Sequence, residues 1–243
     1  MHLVAEAIVL SVRPHGEHGA VVRALTAADG VQPGYVRGAR SRALRAVLLP
    51  ANIVRGEWRA RSEAQLAALT VELVETRAGL HAEPLAAAAL GWATTLTAAA
   101  LPEAQPYPRL HAGLAALLDA IAAAPSARGW AAALARYELL LLAELGFGLD
   151  LDRCAVSGAG DDLAFVSRRS GAAVSRGAAA GYEARLLPLP AFLRDGGEAT
   201  WPAVFDALAI TGHFIARDVM ADRRAVMLAG RERLVDALKR AVA

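Results

Sequence analysis

Alternation of apolar and polar positions dominates the first third of the chain. Residues 5–12 form a β-rich run ending at Arg13-Pro14, residues 20–26 form a second, and Asp29-Gly30 is a turn signal before a third run over 31–37. After Pro50, residues 52–61 and 66–74 supply two more. Five short strands punctuated by glycine and proline predict a small closed or nearly closed barrel, of which the five-stranded OB-fold is the commonest nucleic-acid-binding form. From Pro84 onward the period turns helical. Residues 85–101 read as one helix with Pro84 at its first turn, the proline-rich 102–109 leads to a second over 110–124, and 125–129 breaks the pattern again.

The next helix, 130–145, is apolar on nearly every face, interrupted only by Arg136, Glu138 and Glu144, which is the pattern of a helix surrounded by protein. Its stop signal is specific: Gly146 suits the left-handed C′ position and Phe147 at C″ is placed to fold back toward Leu142 in a Schellman ending. Residues 150–190 do not read as helix. Gly158, Gly160, Gly171, Gly177 and Gly181 punctuate short runs such as 163–167, predicting an irregular excursion with a small hairpin. Helices resume over 202–214, with room to continue to 220, and again over 231–242. The expected class is α+β, a barrel domain over 1–78 followed by a helical domain over 79–243 that contains the excursion.

Charge sharpens this picture only locally. The net charge is +2, and Lys239 is the sole lysine among 26 basic residues. Guanidinium grips phosphate bidentately, although a base composition favouring arginine and alanine accounts for much of the excess equally well. Between 37 and 61, however, seven arginines face a single acid, Glu57. These are either solvated strand ends and a flexible loop, or a salt-sensitive track for a sugar-phosphate backbone. By strand parity Tyr35 and Arg37 share a face, so a ring could stack on a base while the guanidinium reaches a phosphate. Arg55, Arg59 and Arg61 share a face in their own strand, with Trp58 opposite them, toward the core. Gly38, between two arginines, permits close backbone approach to a ligand or a simple bulge.

Other chemistry is not indicated. Cys154 is the one cysteine, which excludes an internal disulfide and a thiolate-rich zinc site within a single chain, and fits a reducing cytoplasm. There is no phosphate-binding loop followed by Lys-Ser or Lys-Thr, no His-Glu-x-x-His among the six histidines, and no Gly-x-Ser-x-Gly elbow. His15 and His18 flank Glu17 in a turn, and Asp161-Asp162 read as turn formers. Residues 1–14 carry Glu6 and no basic n-region, unlike a signal peptide, and 85–101 falls short of a membrane span. The pattern argues for binding rather than bond-making, with no cofactor or metal expected.

Four stretches in register carry a resemblance: Ser11-Val12-Arg13-Pro14-His15-Gly16-Glu17; Val36-Arg37-Gly38-Ala39-Arg40-Ser41; Arg136-Tyr137-Glu138 leading into Leu145-Gly146-Phe147-Gly148-Leu149; and Cys154 four residues before Gly158. In these, over nearly the whole length, the chain resembles the RecO family of recombination mediators in DNA repair. The resemblance implies an N-terminal OB-fold, a helical C-terminal domain and no enzymatic turnover. It implies binding of single- and double-stranded DNA, annealing of complementary strands, and action with RecR to load RecA onto DNA coated by single-stranded-DNA-binding protein, in the cytoplasm at the nucleoid. Arg37, Gly38 and Arg40 match the family's basic motif. Arg42, Arg45, Arg55 and Arg59 are added from the charge count, and Arg13 and Tyr35 complete the expected DNA-binding set. The resemblance further implies docking of the acidic C-terminal tail of the single-stranded-DNA-binding protein at Arg136, with Tyr137 and Leu140. Alternatively, Arg136 simply pairs with Glu138, Glu144 or a neighbouring helix. Only one of the cysteines that bind zinc in some relatives is kept. A rival from another class is an interaction scaffold whose helical domain docks partners and whose barrel does not itself bind DNA.

Overall fold

The β-rich run expected over 5–12 lies within one strand of 14 residues, β1 (His2–His15), which is followed by β2 (Gly19–Thr26), β3 (Gly30–Val36), a short helix α1 (Arg42–Val47), β4 (Ile53–Arg59) and β5 (Ala68–Glu75). This is a computed structural model, and it describes residues 1–62, 65–123, 127–220 and 224–242, with side chains in the last stretch from 227. Of the break expected over 125–129, residues 125 and 126 lie outside those described, and 127–129 already belong to the helix that follows. The chain divides into two compact units, Met1–Ala122 and Ala123–Ala243.

In the first unit the strands close into a barrel in the order β1-β2-β3-β5-β4, the five-stranded arrangement of an OB-fold. β1 is shared at the seam: its first half pairs with β4 from His2↔Arg59 to Ile8↔Ile53, and the rest pairs with β2 as far as His15↔Gly19, with a bulge between Val9 and Ser11. Such a bulge bends a strand sharply enough to serve two neighbours. A parallel contact at Tyr35↔Ala68 closes β3 on β5. Inward residues follow the expected parity: Ala7, Val9, Val22, Val54, Trp58, Leu69 and Val71 form the core. Trp58 is fully buried, as its parity predicts. Gly34 and Gly56 make room for its indole, since a Cβ at Gly56 would fall 2.4 Å from the ring.

Two helices complete this unit, α2 (Pro84–Ala100) and α3 (Pro108–Ala123). Arg23 on β2 ties the barrel to the end of α2, donating to the carbonyls of Ala98 at 2.6 Å and Leu101 at 3.3 Å, groups that have no partner within the helix. Arg77 ties it to α3. Its side chain is almost wholly buried, pairs with Asp119 at 2.6 Å and donates to the Ala51 carbonyl at 2.9 Å.

In the second unit α4 (Ala127–Glu144) is the buried helix, with Trp130, Leu134, Tyr137, Glu138, Leu141 and Leu142 enclosed. It ends as expected: Gly146 has φ 86°, its N–H donates to Ala143 O at 3.1 Å, and Phe147 N–H donates to Leu142 O at 2.8 Å, the two bonds of a Schellman motif. The excursion over 150–190 is more regular than its glycines suggest. It forms a four-stranded sheet in the order β6-β8-β7-β9 from β6 (Asp150–Cys154), β7 (Leu163–Ser167), β8 (Ala172–Ser175) and β9 (Leu186–Pro188), with β6 and β8 parallel. The expected hairpin is β7–β8; the parallel partner joins from farther along the chain, which local patterning cannot reveal. Helices α5 (Ala191–Asp195), α6 (Trp201–Phe214) and α7 (Arg224–Val242) follow, with a π-helical turn over Ile215–Val219 after α6. The last helix begins earlier than the expected 231. No helix among the described residues is long and apolar enough to cross a membrane.

Candidate nucleic-acid interface

Net charge does not explain any attraction of the first unit for phosphate: residues 1–122 hold eleven arginines against ten carboxylates. Position does. The acids gather around some arginines and leave others alone. Glu103 lies 3.4 Å from Arg23, and Glu75 and Asp119 flank Arg77. On the outer face of β4, Glu57 Oε1 accepts from Arg59 Nε at 2.9 Å and Nη2 at 2.6 Å, and it contacts His2 Nε2 at 2.7 Å. The His2 contact, then Arg59, holds the Glu57 carboxyl below its ordinary range. Arg55 sits in register between Glu6 on β1 and Glu72 on β5, and directly opposed residues share a face.

Arg55 and Arg59, expected in one cationic track with the others, therefore lie on a charge-balanced face. This corrects the continuous track from 37 to 61. The sequence places Glu57 nearby, but only cross-strand register brings Glu6 and Glu72 to Arg55.

The remaining arginines are differently placed. The basic motif expected as strand is a turn: β3 ends at Val36, and residues 37–40 turn before α1. Arg37 is thus exposed beyond the strand rather than sharing a strand face with Tyr35. Gly38 takes φ 69° with nothing within 4 Å of where a Cβ would stand, so its role is the left-handed backbone of that turn. Arg40 fastens this turn to the one between β1 and β2, with Nη1 donating to Glu17 O at 3.0 Å and its N–H to His18 O at 3.4 Å. What reads as a loop over 42–47 is α1. Ser41 caps it by accepting from Leu44 N–H at 3.3 Å, and buried Asn52 donates to the carbonyls of Ala46 and Val47 at its end. Leu44 and Val47 pack on the barrel core while Arg42 and Arg45 stay exposed, three residues apart and so on one side of the helix.

Arg13 and Tyr35 lie on the outer face of the strands that lead into these turns. Arg13 pairs with Val21, and Val21 with Tyr35, across three adjacent strands, so the three side chains share the outer face. Arg13 is exposed and Tyr35 half-buried. The Tyr35 ring lies over Gly19, where a Cβ would come within 2.4 Å of it, and meets His15 edge-on at 5.9 Å. Arg13, Arg37, Arg42 and Arg45 have no carboxylate partner among the described residues. Guanidinium groups without a carboxylate partner, and an aromatic ring on the same barrel, can neutralise phosphates and offer a stacking face.

In the second unit, Arg136 is exposed on α4. Its Nη2 donates to Gly197 O at 3.0 Å and its guanidinium lies 5.2 Å from the Phe192 ring centre. Leu140 is half-buried, but Tyr137 is only 3% exposed and is a core side chain, not a docking one. Glu138 does not answer Arg136. It is fully buried and faces Arg231, which donates to its two oxygens at 2.8 and 2.7 Å, and it also accepts from Thr211. The sequence offers no signal for that pair, since 93 residues separate its members.

Cys154, the residue that the resemblance linked to zinc, is buried. Its Sγ accepts from the backbone N–H groups of Ser157 at 3.5 Å and Ser175 at 3.3 Å, and packs with Val174, Ala179 and Leu186. Among the described residues no three His, Cys, Asp or Glu side chains converge as ligands.

Fold and surface together define an OB-barrel protein with a cationic barrel end and a helical second unit. The family model described as "Recombination protein O N terminal" matches residues 1–77, and "Recombination protein O C terminal" matches 81–225. The chain is 46% identical over 238 residues to the DNA repair protein RecO of Rhodospirillum rubrum, covering 96% of this chain and 94% of that protein. It is 44% identical to that of Rhodospirillum centenum, with 99% and 96% covered, and 44% identical to one from Cereibacter sphaeroides, with 97% of each covered. The chain belongs to the RecO family, and its role lies in DNA repair and recombination.

Proposed function

We propose that this protein is a non-enzymatic recombination mediator that grips DNA at the barrel end formed by Arg13, Tyr35, Arg37, Arg40, Arg42 and Arg45. The observation that carries the reading is the segregation of charge: on one OB barrel, Arg23, Arg59 and Arg77 pair with acids and Arg55 lies in register between Glu6 and Glu72, while the turn after β3 and α1 hold arginines and no acid. Neutralising two strands at once lowers their mutual repulsion, and a ring beside the cations keeps bases open to pairing. Annealing then needs no covalent step. Family membership supports the wider setting, in which the protein acts with RecR to load RecA onto DNA coated by single-stranded-DNA-binding protein. The exposed Arg136, beside Leu140 and the Phe192 ring, would receive the acidic tail of that coating protein, since a guanidinium is suited to a terminal carboxylate.

The test is a salt titration of oligo-dT binding. Arg37→Ala with Arg42→Ala should weaken binding and flatten the log K against log salt slope by about 1.4, at roughly 0.7 per contact on single strands. Arg55→Ala with Arg59→Ala should leave the slope unchanged. Equal effects from both pairs would return the charge-balanced face to the site and overturn the reading. Arg136→Ala should spare DNA binding and weaken retention of an acidic, apolar-ended peptide.

A further inference from the structure

The turn joining β7 to β8 carries two adjacent arginines, Arg168 and Arg169, both exposed. Neither guanidinium has a carboxylate or hydrogen-bond partner among the described residues. Their backbone, in contrast, is held from below. Arg217 Nη1 donates to the carbonyls of Arg168 at 2.7 Å and Arg169 at 2.9 Å, and His213 Nε2 lies 3.0 Å from the Arg168 carbonyl. Arg217 is itself fixed, through Asp218 at 2.7 and 2.9 Å and over the Phe214 ring at 4.6 Å. Gly171 closes the turn with φ 74° and a bond from its N–H to Ser167 O at 2.9 Å, and a Cβ there would stand 3.5 Å from Phe214. The turn is seated on the buried Phe214 at the end of α6.

The division of labour among these arginines is informative. Arg217 commits Nη1 to holding the loop, Nε and Nη2 to Asp218 and one guanidinium face to Phe214, whereas the guanidinium groups of the two arginines it holds commit none. The second unit contains carboxylates nearly equal in number to its cations, yet none among the described residues pairs with this tip. Fixing the backbone removes conformational entropy that a ligand would otherwise have to overcome, and neighbouring guanidinium forks match phosphate oxygens. We propose that the β7–β8 tip is a second phosphate-binding site, which takes the sugar-phosphate backbone of another nucleic-acid strand. That it is the second strand rests on the reading of the barrel end as the first.

Titration calorimetry of the full chain with oligo-dT of about eight nucleotides, inside the roughly 4–16 that one OB-fold covers, separates the two. The expected result is two strands bound per chain, falling to one in Arg168→Ala with Arg169→Ala and to one in Arg37→Ala with Arg42→Ala. Arg168→Lys with Arg169→Lys should keep the second strand at reduced affinity and so exclude loss of folding. One strand bound by the natural chain, lost only in the barrel variant, overturns the hairpin site and leaves the barrel reading intact. One strand lost only in the hairpin variant supports the hairpin site and overturns the barrel reading. A hairpin variant that binds both strands but no longer retains a poly-glutamate peptide overturns the proposal in favour of a protein partner.

Discussion

Cys154 shows how a single residue takes its chemistry from its surroundings. The hydrogen bonds from Ser157, then Ser175, hold its thiol down to about 6, against the opposing effect of burial. The sign follows from linkage: a group whose folded pKa lies below its unfolded value of 9.0 adds stability that is complete above that value and is lost as pH falls through about 6. Urea unfolding of the natural chain and Cys154→Ala should therefore diverge as pH rises from about 6 toward 9. A constant gap would mean that Cys154 serves only as an apolar filler. That this cysteine stands alone is plain from the sequence. That its sulfur meets the Ser175 amide follows from the register of β6 beside β8, where Cys154 faces Ala173. The same contrast separates Arg55 from Arg42, identical residues with opposite surroundings.

Among elements, α4 is the one whose environment the sequence describes best and whose key contact it hides. A helix apolar on most faces must be enclosed, and it is. The enclosure includes Glu138, which joins α4 to α6 through Thr211 and to α7 through Arg231, whose Nη2 also donates to the Leu208 carbonyl at 2.7 Å. Truncating one member leaves the other charged and buried, at a cost of about 3–5 kcal/mol, whereas replacing both with apolar residues is often neutral or stabilising. Glu138→Ala should accordingly lower stability by about that amount, and Glu138→Leu with Arg231→Met should recover most of it. Chemical denaturation of Glu138→Ala, Glu138→Leu, Arg231→Met and the double variant checks this; additive losses in the double variant would show that the pair is not coupled. A carboxylate inside a leucine-rich helix reads equally well as a solvated interruption, because its partner's distance along the chain is not written in any local pattern.

For the molecule as a whole, the division after Ala122 places α2 and α3 with the barrel, while the family models change between residues 77 and 81. Arg23 and Arg77 give this a physical basis, since both point from the barrel into helix ends or side chains beyond residue 78. We expect a fragment of residues 1–122 to melt cooperatively near the full chain, and a fragment of 1–78 to melt well below it. Equal melting temperatures would make the barrel self-sufficient and favour the boundary read from periodicity. Near-neutrality of each unit has a further consequence: bulk charge gives little steering, so any salt dependence of DNA binding reports local arginines.

By itself the sequence determined the α+β class, the five strands, the Schellman ending at Gly146 and the inward parity of Trp58, because periodicity and turn chemistry act over a few residues. It also displayed the motifs by which the family is known. Only the tertiary structure decided which arginines keep free charge. Electrostatic neighbours are set by distance in space, and the barrel's register brings Glu6 and Glu72 beside Arg55 while leaving the turn after β3 and α1 without acids.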